Sequence, residues 1–85
     1  MHRVEVASRA QREIRRIPER ERGRVSTAVR KLAPEPRPVG CVKLKGLLYR
    51  IRVGSYRVIY SVSDRDQLVL ILKVDRREKD TYAGL

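Results

Sequence analysis

Apolar positions recur along this chain with two different periods. In HRVEVA, Val4 and Val6 alternate with Arg3 and Glu5, which predicts a short strand over residues 2–7. The spacing then changes. Ala10, Ile14 and Ile17 fall at i, i+4 and i+7, one face of a helix, and Ser8 is a suitable N-cap for a helix starting at Arg9. Pro18 stops that helix and suits the first turn of a second. Val25, Ala28, Val29 and Leu32 again mark a helical face. Glu19 and Glu21 at its start and Arg30 and Lys31 at its end complement the helix dipole. Gly23 inside it costs about 1 kcal/mol relative to alanine.

Residues 33–40 hold three prolines and read as a loop. Beyond them the pattern is that of strands, over 41–45, 48–53 and 56–62. A turn at SDRD precedes QLVLILKV, residues 67–74, which is apolar on both faces as a central buried strand is. DRREKDTYAGL reads as a charged short helix or coil. The fold class expected is α+β: an antiparallel sheet of about four strands, with an N-terminal helical hairpin packed on one face, in the order β-α-α-β-β-β. Residues 41–45 would be a further strand. The whole chain, residues 1–85, reads as one domain.

The stretch YRIRVGSYRVIY, residues 49–60, can be registered by counting outward from a two-residue turn at Gly54-Ser55 with glycine first. Val53 then faces Tyr56, Arg52 faces Arg57, Ile51 faces Val58, Arg50 faces Ile59 and Tyr49 faces Tyr60. Directly opposed residues share a face. One face therefore carries Tyr49, Ile51, Val53, Tyr56, Val58 and Tyr60, and the other Arg50, Arg52, Arg57 and Ile59. Opposing Arg52 to Arg57 is unfavourable, by a few tenths of a kcal/mol up to about 1. A solvated sheet face accounts for arginine here in the simplest way. An anion gripped by three guanidinium forks also accounts for the opposition of like charges.

Charge changes the picture. With 21 Lys+Arg against 10 Asp+Glu the formal net charge is +11, spread over both halves. That points to an anionic partner: nucleic acid, an anionic membrane or an acidic protein. At 85 residues the core is modest, with roughly 60% of the unfolded surface buried on folding. Cys41 is the one cysteine, so no disulfide closes within the chain, which fits a reducing cytoplasm. The one histidine, His2, sits at an expected mobile terminus, away from any nucleophile. No clustered carboxylates or Cys/His pairs suggest a metal site, and no cofactor is expected. The longest apolar run, LVLIL, is far too short to span a membrane. Lys43 and Lys45 before the hairpin, and Arg76 and Arg77 after the last strand, would extend a basic face into a phosphate-backbone footprint. Tyr82 beside such a groove could stack on an RNA base.

These segments resemble the RelE branch of the RelE/ParE toxin superfamily. The resemblance rests on VKLKG, on YRIRVGSYRVIY (the pattern Y-[RK]-x-[RK]-x-G-x-Y-R-[VL]-x-Y) and on LVLILKVDRREKDTY. The preceding V-E-V-x-x-x-A-x-x-x-I-x-R-I-P also fits, so nearly the whole chain is covered. The resemblance implies the toxin of a toxin–antitoxin pair, an endoribonuclease that cuts mRNA in the ribosomal A site and inhibits translation. In that chemistry the RNA's own 2′-hydroxyl attacks the adjacent phosphate without a metal. It implies that Arg50 and Arg52 hold the phosphate and assist proton transfer, and that Arg57 stabilises the transition state. Arg77 is implied as an acid or charge stabiliser, and Tyr82 as a stacking residue and base. Lys43, Lys45 and Arg76 match general RNA-contacting positions. The partners implied are the ribosome, mRNA and a small RelB-like antitoxin in a hetero-oligomer.

The chain also departs from the family. Relatives carry lysine where Arg50 and Arg52 stand, and often histidine where Arg76 stands. Arginine stabilises charge but does not deprotonate, so the site is poor in groups that titrate near neutrality. The same hairpin is shared with ParE-like inhibitors of DNA gyrase, which usually have longer helices. A non-catalytic basic RNA-binding module is the other alternative.

Overall fold

In the computed structural model, which describes residues 1–76, the element order is β1 (Arg3–Val6), α1 (Ser8–Arg15), α2 (Glu19–Lys31), β2 (Val42–Lys45), β3 (Leu48–Val53), β4 (Tyr56–Ser63) and β5 (Leu68–Arg76). The α+β class is as expected. The sheet has five strands rather than about four, in the order β1-β5-β4-β3-β2, and it is mixed. β2 to β5 form an antiparallel meander, whereas β1 runs parallel to β5, with Val4 beside Val69 and Val6 beside Ile71. Parallel pairing needs a long connection, and here the chain between β1 and β5 runs through α1, α2, the proline loop and the β2–β4 meander.

Both helix starts differ in detail from the sequence reading. Ala7, not Ser8, is the N-cap of α1. Its N–H still pairs in the sheet, donating to the Ile71 carbonyl at 2.9 Å, so the helix begins where the strand ends. Pro18 is the N-cap of α2 and not a first-turn residue; its carbonyl accepts the N–H groups of Glu21 and Arg22, both at 2.9 Å. His2 is anchored rather than loose. Its N–H donates to the Ala33 carbonyl at 2.8 Å, and its ring Nε2 lies 3.0 Å from Asp64 Oδ1.

The helices cover one face of the sheet. Ala10, Ile17, Val25, Val29 and Leu32 are buried against Tyr49, Ile51, Tyr56, Val58, Tyr60, Val62, Val69, Ile71 and Val74. Tyr49 and Tyr60 stack across β3 and β4 with ring centroids 5.9 Å apart. The register counted from Gly54-Ser55 is the one observed, from Val53 with Tyr56 to Tyr49 with Tyr60. Gly54 has φ +60 and Ser55 does not share the positive φ, as a glycine-first hairpin turn requires.

Candidate functional site

The uncovered face of the sheet is built by the other half of the same alternation. Arg50 and Arg52 project from β3, and Arg57 and Ile59 from β4, with Arg52 directly opposite Arg57. The like charges are not left facing each other alone. On its other side Arg57 lies opposite Asp75 of β5. Its Nε donates to Asp75 Oδ1 at 3.0 Å and its Nη2 to Oδ2 at 3.2 Å, a two-point fork. Lys73 adds its ammonium 3.3 Å from Asp75 Oδ2. Neither Lys73 nor Asp75 was anticipated from the sequence.

A bulge puts them there. Tyr60 pairs with Ile71 but Ile59 pairs with Lys73, so Leu72 is an extra residue in β5. A one-residue shift moves every later side chain to the opposite face. It keeps Val74 in the core beside Val58 and turns Lys73 and Asp75 outward to Ile59 and Arg57. It also turns Arg76 away. Arg76 pairs with Tyr56 and lines a hollow with Glu13, Arg16 and Ile17 on the helix-covered side. The expected grouping of Arg76 with the hairpin arginines is therefore not found.

β2 carries a second bulge, between Lys43 and Lys45, and it separates the two lysines. Lys45 pairs with Leu48, on the face of Arg50 and Arg52, whereas Lys43 pairs with Tyr49, on the helix side of the sheet edge. Arg77 and Tyr82 lie outside the described residues. Of the predicted site residues, the structure thus brings together Arg50, Arg52 and Arg57, with Lys45 at the edge.

Among the described residues, Arg50 and Arg52 make no ion pair. The Arg50 Nε is buried without a hydrogen-bond partner, and Arg52 is exposed. The face therefore presents two guanidinium groups that have no ion-pair partner among the described residues, beside one that is neutralised. Such an arrangement suits a polyanion. The carboxylates on this face, among the described residues, are Asp75 and Glu5, and Glu5 is tied to Arg3 at 2.9 Å. Among the described residues no group of His, Cys, Asp and Glu is placed to hold a metal ion, and no helix is long and apolar enough to cross a membrane.

The loop before β2 exposes Val39, β2 exposes Val42 and Leu44, and the turn after it exposes Leu47; Val42 pairs with Arg50 and so borders the arginine face. Val39, with Ala28, Leu32, Ile51 and Val53, lines a groove rimmed by Lys31, Glu35 and Arg52. The sequence signal for this patch was the apolar residue at each of Val42, Leu44 and Leu47 in a segment read only as a strand.

An α+β domain with a helical hairpin on one face of a five-stranded sheet is the fold shared with solved RelE toxins. The chain belongs to the family described as the ParE toxin of the type II toxin–antitoxin system parDE, whose model matches residues 4–81, and so to the RelE/ParE toxin superfamily. The archaeal RelE–RelB complex of Pyrococcus horikoshii OT3 contains a chain 33% identical to this one. It superposes with a TM-score of 0.84, covering 92% of this chain and 97% of that one. The RelBE2 toxin–antitoxin complex of Mycobacterium tuberculosis contains one 28% identical, with a TM-score of 0.79 over 89% of this chain and 98% of that one. The isolated RelE toxin of E. coli, at 24% identity, shares the fold, with a TM-score of 0.82 over 99% of this chain and 94% of that one.

Proposed function

We propose that this toxin is a ribosome-dependent mRNA endonuclease. The observation that carries the proposal is the clustering of Arg50, Arg52 and Arg57 on the uncovered sheet face, with Arg50 and Arg52 unpaired among the described residues. In the reaction the RNA's 2′-oxygen bonds to the adjacent phosphorus as the bond from phosphorus to the 5′-oxygen breaks. One proton leaves the 2′-oxygen and one reaches the 5′-oxygen, giving a cyclic phosphate and a free 5′-hydroxyl. Negative charge builds on the phosphoryl oxygens, and fixed guanidinium donors stabilise it best where they need not reorganise. Arg50 and Arg52 hold the phosphate and Arg57 meets the developing charge. Lys45 lies where the flanking backbone would pass.

A small antitoxin is the proposed protein partner. The relatives from Pyrococcus horikoshii and Mycobacterium tuberculosis were solved as toxin–antitoxin complexes. The exposed Val39 and the apolar groove it lines give an amphipathic segment a place to bury its apolar side. Inducing the toxin and mapping new mRNA 5′ ends tests the function. Cuts confined to translated regions are expected, and Arg57→Ala or Arg77→Ala should reduce them about a hundredfold or more while the protein still folds and binds its antitoxin. Growth arrest with intact mRNA would overturn the proposal.

The matched family description names ParE, which favours a second reading, inhibition of DNA gyrase. Helices of 8 and 13 residues are short for that role. A supercoiling assay separates the two: gyrase inhibition without mRNA cuts would reverse the order.

A further inference from the structure

We propose that Asp75 is a positioning residue for Arg57 in RNA cleavage, an inference that rests on the function proposed above. Left to itself, the Arg57 guanidinium would swing away from Arg52, the like charge opposite it on β3. Asp75 lies in that direction, on β5, and holds the guanidinium at one defined position. It takes the Nε edge of the fork at 3.0 Å and one Nη2 hydrogen at 3.2 Å, and Lys73 at 3.3 Å holds the carboxylate in turn. A guanidinium carries five N–H donors. Two go to Asp75, so three remain, both on Nη1 and one on Nη2, which is a second complete edge for a phosphate. Arg57 is thereby fixed without being used up.

The backbone supports the same conclusion. The extra residue Leu72 is what turns Asp75 onto the arginine face. Bulges of this kind recur beside active sites, where they re-aim a side chain. Without it, the outward position opposite Arg57 would fall to Val74. The same shift keeps Val74 in the core, so one bulge serves both packing and the placement of Asp75.

The test is single-turnover cleavage of a short mRNA on programmed ribosomes by the full-length toxin. Asp75→Asn should fold, and should cut at least about tenfold more slowly, short of the hundred- to thousandfold loss of a transition-state donor itself. Its half-saturating ribosome concentration should change less than about twofold on that same argument, because ground-state binding is untouched. Asp75→Glu should recover part of the rate. In an Arg57→Ala background Asp75→Asn should slow the reaction no further. A wild-type rate for Asp75→Asn, or full additivity with Arg57→Ala, would overturn the inference. So would loss of the acidic limb of the pH–rate profile, which would make Asp75 the proton acceptor instead. Should Asp75→Asn not fold, the wild-type protein decides. With RNA carrying a 2′-O-methyl block bound, the Arg57 Nε–H NMR signal should stay slow to exchange. Its collapse would show that RNA releases the pair and that Asp75 is only a resting counter-ion. A wild-type toxin that cuts no mRNA would instead sink the underlying function.

Discussion

The carboxylate of Glu13 on α1 accepts the backbone N–H of Val74 on β5 at 2.7 Å, across 61 positions of sequence. β1 pairs with β5 only as far as Val6 with Ile71, so the outer edge of β5 runs on without a strand beside it. Glu13 satisfies a donor there that would otherwise be left open. The bond also pins the end of β5 next to Asp75. Glu13→Ala should cost about 1–3 kcal/mol, the usual penalty for a part-buried donor losing its acceptor, and Glu13→Gln much less. Urea unfolding of the two variants checks this. If both unfold at the wild-type midpoint, the bond does not matter.

Tyr60 gives a prediction at alkaline pH. Its ring is buried beneath the sheet, and its hydroxyl donates to the Pro36 carbonyl at 2.8 Å. Burial, with Cys41 beside it, pushes the phenol well above its ordinary value. A raised pKa means the folded state keeps a proton that the unfolded state gives up. The associated stability is complete below about pH 10, the unfolded value, and is lost as pH rises beyond it. Tyr60→Phe should lose about 0.5–1.5 kcal/mol at neutral pH for the missing hydrogen bond. Above about pH 10 the gap to wild type should narrow. Thermal melts at neutral and alkaline pH measure the gap, and a constant difference would contradict the assignment.

Asp64 gives the opposite sign. Arg37 grips it with two bonds, at 3.2 and 3.0 Å, and His2 lies 3.0 Å away. Arg37 first, then His2, holds its carboxyl below the ordinary value. The stability linked to a depressed carboxylate is present above the unfolded value, near pH 4, and is lost as pH falls through the folded one. Asp64→Asn should therefore flatten the acid limb of the stability curve, and the effect should shrink in high salt because the pair is exposed. A urea midpoint series from pH 6 down to pH 2 reads both, those bounds lying about two units either side of the free carboxyl.

The hairpin was legible in the sequence because two residues settle it. Gly54 fixes the turn, and once Val53 faces Tyr56 every other pair follows by counting. The end of β5 was not legible for a physical reason. LVLIL is apolar on both faces, so its alternation carries no signal that Leu72 is extra, and the sides taken by Lys73, Asp75 and Arg76 depend on that one residue. Lys43 and Lys45 were misgrouped in the same way by the bulge in β2. The partnership of β1 with β5 spans the chain and leaves no turn between them to read. Arg50, Arg52 and Arg57 were found because strict alternation in β3 and β4 sorts charge from apolar residues.

Arg50 should show function and stability pulling in opposite directions. Its Nε is buried with no acceptor among the described residues, and a buried donor without a partner costs about 1–3 kcal/mol. The proposed function gives the rest of the Arg50 guanidinium a substrate phosphate as its partner. Arg50→Met retains the aliphatic stem and removes the orphaned donor. It should be more stable than wild type, by about 1 kcal/mol, which for a domain of this size raises Tm by roughly 4–8 °C. The same variant should lose mRNA cleavage by about a hundredfold or more, the scale of removing one donor from a transition state. Calorimetry and the ribosome cleavage assay on one preparation test both halves. A fall in Tm would mean that Arg50 is held by the fold, and unchanged cleavage would mean that no phosphate meets it.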